Sequence, residues 1–99
     1  MVLAQGEFKT YDSDRDVVRF TMKNGDAEVP CAISTSAMDN LDSPIKVSES
    51  QREAQFMRLR PRIEERAARK ILDAEFEGRP AGIILRSIDF RTSDKLHVA

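Results

Sequence analysis

The chain has 99 residues, 40% hydrophobic and 33% charged, with a formal net charge of −1. That suits one globular domain able to bury roughly two-thirds of its unfolded surface around a single core. One cysteine excludes an internal disulfide, one histidine removes most zinc chemistry, and the near-neutral balance argues against wholesale nucleic-acid binding.

Met1–Gln5 lacks the basic start and apolar run of a signal peptide, and no stretch has the length and apolarity of a membrane span, so a cytoplasmic protein is expected. Charge is unevenly spread. Residues 1–51 carry five basic and nine acidic side chains, whereas residues 52–70 carry seven basic and three acidic.

Residues 1–15 read as a loosely ordered lead-in that Phe8 and Tyr11 pin to the body as a short edge strand. The spacing of Asp12, Asp14 and Asp16 resembles the start of a calcium loop. It fails where Val17 replaces the obligatory glycine and Lys23 the bidentate glutamate, so a solvated turn is expected.

Asp16–Ser34 reads as a β-hairpin closed at Asn24-Gly25. Counting outward places Phe20 opposite Val29, Val18 opposite Cys31 and Met22 opposite Ala27, making one face apolar. Cys31 is then a buried small hydrophobe rather than a reactive thiol. Pro30 has no N–H to offer, which favours a four-residue loop, Lys23–Asp26, with the second strand at a sheet edge. A third strand is therefore expected beside the first.

Ser34-Thr35-Ser36 offers N-cap hydroxyls for a short helix carrying Ala37, Met38 and Leu41, ended by Ser43-Pro44. Ser48-x-x-Gln51 opens the main helix. There Phe56, Leu59, Ile63, Ala67, Ile71 and Ala74 form one apolar stripe that keeps phase across Pro61. A kinked helix ending near Glu75 is expected, with Gly78 and Arg79-Pro80 completing the stop. Gly82–Phe90 reads as a strand inside the sheet, and residues 91–99 as a polar tail. Residues 16–90 thus form one α+β domain. Its sheet is antiparallel or mixed, with three strands, or four if the lead-in pairs, and both helices cover one face.

Val18-Arg19-Phe20, Cys31-x-Ile33-Ser34, Phe56-x-x-x-Arg60-x-x-Ile63-x-x-x-Ala67 and Asp89-Phe90 are similar to the small bacterial proteins grouped as domain-of-unknown-function family 1488. The resemblance spans about residues 16–90. It departs in a longer connection between Ala67 and the last strand and in the polar tail. It implies a compact α+β bacterial domain and carries over no catalytic residue.

Arg58, Arg62, Arg66 and Arg69 lie along one helix face opposite the apolar stripe. Such a line grips phosphates, and four duplex contacts would give a log K against log salt slope of about −3.6. Its ordinary reading is a solvated face, and no aromatic residue interleaves with it to stack bases. Arg60 falls on the apolar side, where it either snorkels or pairs with a carboxylate, Asp89 being the expected partner.

No cysteine–histidine pair, metal set or glycine-rich phosphate loop is visible, so no cofactor, metal or catalytic residue is assigned and an enzyme is not expected. The reading favoured is a non-catalytic interaction or accessory module. Its partner would be an unknown protein or a second copy, met at an exposed sheet edge. The alternative is weak nucleic-acid or anion binding through the arginine line. Arg60→Ala is expected to lower the thermal midpoint more than Arg62→Ala; equal shifts in a melting comparison would deny Arg60 its special place.

Overall fold

The computed structural model describes residues 3–42, 47–78 and 81–90. The tail at 91–99 and the Ser43-Pro44 and Arg79-Pro80 stops lie outside the described residues. Strands β2 (Val17–Asn24) and β3 (Ala27–Ser34) form the expected hairpin. Its register differs by two residues from the sequence reading, pairing Val18 with Ile33, Phe20 with Cys31 and Met22 with Val29. A shift of two preserves the faces, and it gives every inward residue of β2 a buried apolar partner. The loop is Gly25-Asp26 rather than Lys23–Asp26, with Gly25 at φ 64° in the first position, where a two-residue hairpin turn calls for glycine. Pro30 now faces Thr21. With this loop that is a non-hydrogen-bonded pair, so the missing N–H points away from β2 without a wider loop.

The lead-in is more ordered than expected. Leu3–Asp12 forms β1, a ten-residue edge strand antiparallel to β2. Its pairing is interrupted between Gln5 and Phe8 and again between Phe8 and Thr10. At the first interruption the two backbones approach so closely that a Cβ on Gly6 would lie 2.2 Å from the Thr21 carbonyl oxygen. The Thr21 hydroxyl accepts the Glu7 N–H at 3.0 Å, satisfying a donor the ladder skips.

Ser34 caps α1 (Thr35–Leu41), its hydroxyl accepting the Ala37 N–H at 3.1 Å. The Ser48 N–H donates to Gln51 Oε1 at 3.2 Å, opening a 3₁₀ turn at Glu49–Gln51 that leads into α2 (Arg52–Leu72). Pro61 stands inside α2, and both it and Met57, whose carbonyl loses its donor, are exposed to water. Phe56, Leu59, Ile63, Ala67 and Ile71 are buried against Val18, Phe20, Val29, Cys31 and Ile33. Both helices contribute to that one core, so both lie on one face of the sheet.

The last strand departs most from expectation. Only Ile83–Leu85 forms β4, and it runs parallel to β3, giving the order β1-β2-β3-β4. The free side of β2 is taken by β1, so the chain returning through α2 adds beside β3 as a crossover connection must. Pairing with β4 covers only Cys31, Ala32 and Ile33, so it starts just beyond Pro30. After β4 the chain turns helical: the Asp89 carboxylate accepts the Arg86 N–H at 2.7 Å, and the Asp89 N–H returns to the Arg86 carbonyl at 3.0 Å. That local exchange draws residues 87–90 out of the expected strand.

Helix α2 also stops earlier than Glu75. The Glu75 N–H reaches the Lys70 carbonyl and the Ala74 N–H the Ile71 carbonyl, both at 3.0 Å, with Ala74 at φ 56°. This is a Schellman close in which alanine holds the left-handed position usually given to glycine, which costs roughly 1–2 kcal/mol. Ala74→Gly is accordingly expected to raise unfolding stability by about 1 kcal/mol, less whatever the freer glycine gains when unfolded. Urea denaturation checks this, and a loss of stability would show that Ala74 contributes packing instead.

Candidate functional site

The four arginines do not form one free basic line. Arg58 pairs with Asp42 at the C-cap of α1, and Arg69 pairs with Asp73 at 3.6 Å. Arg66 folds inward, donating to the Asp89 carbonyl at 2.9 Å, and its Nη1 is buried with no hydrogen-bond partner among the described residues. Arg62 alone is exposed with no pairing contact among the described residues. Arg60 does lie on the apolar side, its guanidinium 5.7 Å from the Phe56 ring centre. Its carboxylate partner, however, is Glu64 at 2.7 Å, and it also donates to the Gly6 carbonyl at 2.7 Å. The expected Arg60–Asp89 pair is therefore not made. One turn along the helix, Glu64 meets Arg60 at i, i+4, leaving it no need of a distant acid.

Asp89 instead meets Lys70 at 3.1 Å and Arg66 at 3.8 Å. Lys70 is buried, and its ammonium also donates to the Ile84 carbonyl at 3.0 Å. This cluster ties α2 to β4 and to the turn after it. The sequence reading passed over Lys70, although its spacing from Ala67 and Ile71 puts it on the apolar stripe. A second cluster joins α1 to α2. Arg52 donates to Asp39 at 2.7 Å and to Gln55 Oε1 at 2.7 Å, and the fully buried Gln55 amide donates to Asp39 at 3.0 Å. Burial would raise the Asp39 pKa, but the bonds from Arg52 and Gln55 outweigh it and hold the carboxyl below its ordinary value. Both clusters are structural in placement. Neither lines the groove described next, although Lys70 bonds the backbone of Ile84 beneath it.

Side chains at odd positions of β2 and even positions of β3 point away from the helices. On this other face lies an open groove of about 190 Å³, floored by Ala32 and Ile84, with Val17 and Pro30 along it. Arg15 and Arg19 line one side, and Glu77 and Gly78, from the segment after α2, the other. That far wall is locked by reciprocal Glu77–Gly82 backbone bonds of 2.8 and 2.9 Å. Glu77 is the sole carboxylate lining the groove among the described residues. Arg86 grips it at 2.8 and 3.1 Å, which holds its pKa below the ordinary value and cancels its charge locally.

The arginine side is organised by Asp12. One of its oxygens accepts the Asp14 and Arg15 N–H groups at 3.1 and 3.3 Å, and the other accepts from Arg19 at 3.2 Å. Burial works to raise the Asp12 pKa, and these bonds overcome it, keeping the carboxyl below its usual range. Asp16 closes the same turn at φ 55°, with its carbonyl accepting the Thr35 N–H at 2.9 Å. Arg15 is thus carried on a pinned, strained turn, and its guanidinium has no acceptor among the described residues. Cys31 offers no chemistry to the groove beyond its backbone. Its thiol points into the core, donates to the Val29 carbonyl at 3.4 Å, and is pushed up to about 12 by burial, hence protonated at neutral pH.

Asp89→Asn leaves Lys70 and Arg66 buried without their carboxylate. Equilibrium unfolding should show a cost of about 3–5 kcal/mol, against under about 1 kcal/mol for Arg69→Gln at an exposed pair. Costs of similar size would remove the cluster from its place in holding β4.

Among known proteins, no curated protein matches the chain. A solved structure does: the crystal structure of a protein of unknown function from the DUF1488 family of Shewanella loihica PV-4, at 1.60 Å resolution. It superposes with a TM-score of 0.68 at 21% identity, covering 83% of this chain and 93% of that one, a likeness of fold. No described helix is long and apolar enough to cross a membrane. The family model described as protein of unknown function (DUF1488) matches residues 5–85, and with most of its length so matched the chain belongs to the DUF1488 family.

Proposed function

We propose that this domain is a non-catalytic binding module of the cytoplasm that engages its partner through the helix-free face of the sheet. The observation that carries the reading is the groove itself, a concave apolar floor with an uncommitted arginine at its rim. The helix face is a poorer candidate because Arg58 and Arg69 are already paired and Arg66 is turned inward. Self-association along β1 has less support than the groove. Two bulges, the outward Lys9 and the capture of the Gly6 carbonyl by Arg60 all blunt that edge. The opposite edge, β4, has three residues.

Charge reversal separates the surfaces. A partner captured from a bacterial lysate should be lost by the Arg15→Glu/Arg19→Glu protein and retained by the Arg58→Glu/Arg62→Glu/Arg69→Glu protein. The opposite pattern would return the function to the helix. Light scattering on the unmodified protein should show a monomer across the working concentrations.

A further inference from the structure

We infer that the groove on the helix-free face receives the C-terminal carboxylate of a partner chain whose last side chain is apolar. This rests on that face being the binding surface and names the chemistry it reads. The floor, Ala32 and Ile84 with Val17 and Pro30, offers only apolar contact. The rim offers guanidinium donors: Arg15, with no acceptor among the described residues, and Arg19, held by Asp12 through one nitrogen at 3.2 Å. Guanidinium forks match carboxylates in a bidentate way. On the far wall Glu77 is already gripped by Arg86, so it neither repels an incoming anion strongly nor competes for Arg15.

The size of the groove selects a chain end over a free metabolite. Sites that enclose small molecules run to roughly 300–1,000 Å³ and bury most of their ligand, whereas this groove holds about 190 Å³ and is open along one side. That is room for one leucine- or phenylalanine-sized side chain, with the rest of the partner left outside. Asp14 and Asp16 share the turn with Arg15 but do not line the groove. Recognition therefore acts through short hydrogen-bonded contact and not through a long-range positive field.

The test is a titration of the isotope-labelled protein, followed by amide chemical shifts, with three probes. One is a tetrapeptide ending in leucine with a free carboxylate, one is the same peptide with a C-terminal amide, and one is 4-methylpentanoate, the carboxylate and branched chain without the peptide. The free-acid peptide is expected to move the amides of Arg15, Arg19, Ala32 and Ile84 and to bind at least about tenfold tighter than the amide. Arg15→Gln should weaken it by a similar factor, and Arg62→Gln should leave it unchanged. Equal binding of the amide, shifts centred elsewhere, or no saturable shift would overturn the proposal. Binding of 4-methylpentanoate as tight as that of the peptide would overturn the choice of a chain end. If these peptides fail while the Arg15→Glu/Arg19→Glu protein still loses its captured partner, the ligand class is wrong and the binding face stands. If capture survives that charge reversal, the face itself is wrong.

Discussion

The structure depends on one aromatic wedge. Phe56, fully buried near the start of α2, lies 5.1 Å from the Phe20 ring and 5.6 Å from Phe8, tilted against both. Burying a side chain of that size is worth about 1.5–3 kcal/mol, and tilted aromatic pairs add roughly 0.5–1.5 kcal/mol each. Its position joins three segments of the chain at one point: Phe20 comes from the hairpin, Phe8 from the edge strand, and Phe56 from the helix that roofs both. Arg60, one turn along, closes the arrangement by covering the Phe56 ring and taking the Gly6 carbonyl that the β1 bulge leaves without a ladder partner. The helix therefore adds a tether to the irregular edge where its ladder is interrupted.

What was legible in the residues follows from which signals are periodic. The inward set of the hairpin and the α2 stripe each repeat over several turns, so Val18, Phe20, Cys31, Phe56 and Ile63 were placed correctly. The hairpin register was not, because a shift of two keeps every face and periodicity is blind to it; only the turn decides, and the loop is Gly25-Asp26 rather than Lys23–Asp26. Strand β1 was underestimated for the opposite reason. Its bulges at Gly6–Glu7 and Lys9 break the alternation by which a strand is recognised. At the other end, GIILRSIDF has strand composition throughout, yet the Asp89 carboxylate recaptures the Arg86 N–H and ends β4 after three residues. Lys70 and Gln55 were passed over because a polar residue on an apolar stripe looks like noise until its buried partner is seen. The groove had no sequence signal at all, since Arg15, Ala32 and Ile84 are brought together only by the order of the sheet.

The charge asymmetry between the acidic first half and the basic helix is settled within the fold. Arg52 meets Asp39 and Arg58 meets Asp42, so the basic stretch docks on the acidic α1 segment. Each pair has one largely buried and one exposed partner, and pairs reached by water contribute little stability individually. Their larger effect is to fix how α1 sits against α2, with the buried Gln55 amide as the shared hydrogen-bonding centre. The arginine line that suggested phosphate contacts in the linear chain is thus mostly consumed inside the fold, Arg58 by Asp42, Arg66 by Asp89 and Arg69 by Asp73.

That consumption moves the available positive charge to the opposite side of the molecule. Asp12 performs two tasks with one carboxylate: it closes the β1–β2 turn through the Asp14 and Arg15 amides, and it orients Arg19 across the same strands. The left-handed Asp16 completes the turn in a conformation that aspartate adopts more readily than most residues, and its carbonyl is tied to Thr35 at the first turn of α1. Because the fold needs that turn to bring β1 beside β2, it fixes the Arg15 backbone at the rim, whereas the guanidinium has no acceptor among the described residues. Under the proposal of a chain-end ligand, the backbone of the rim is already ordered before binding, and the freedom lost falls on the exposed Arg15 side chain.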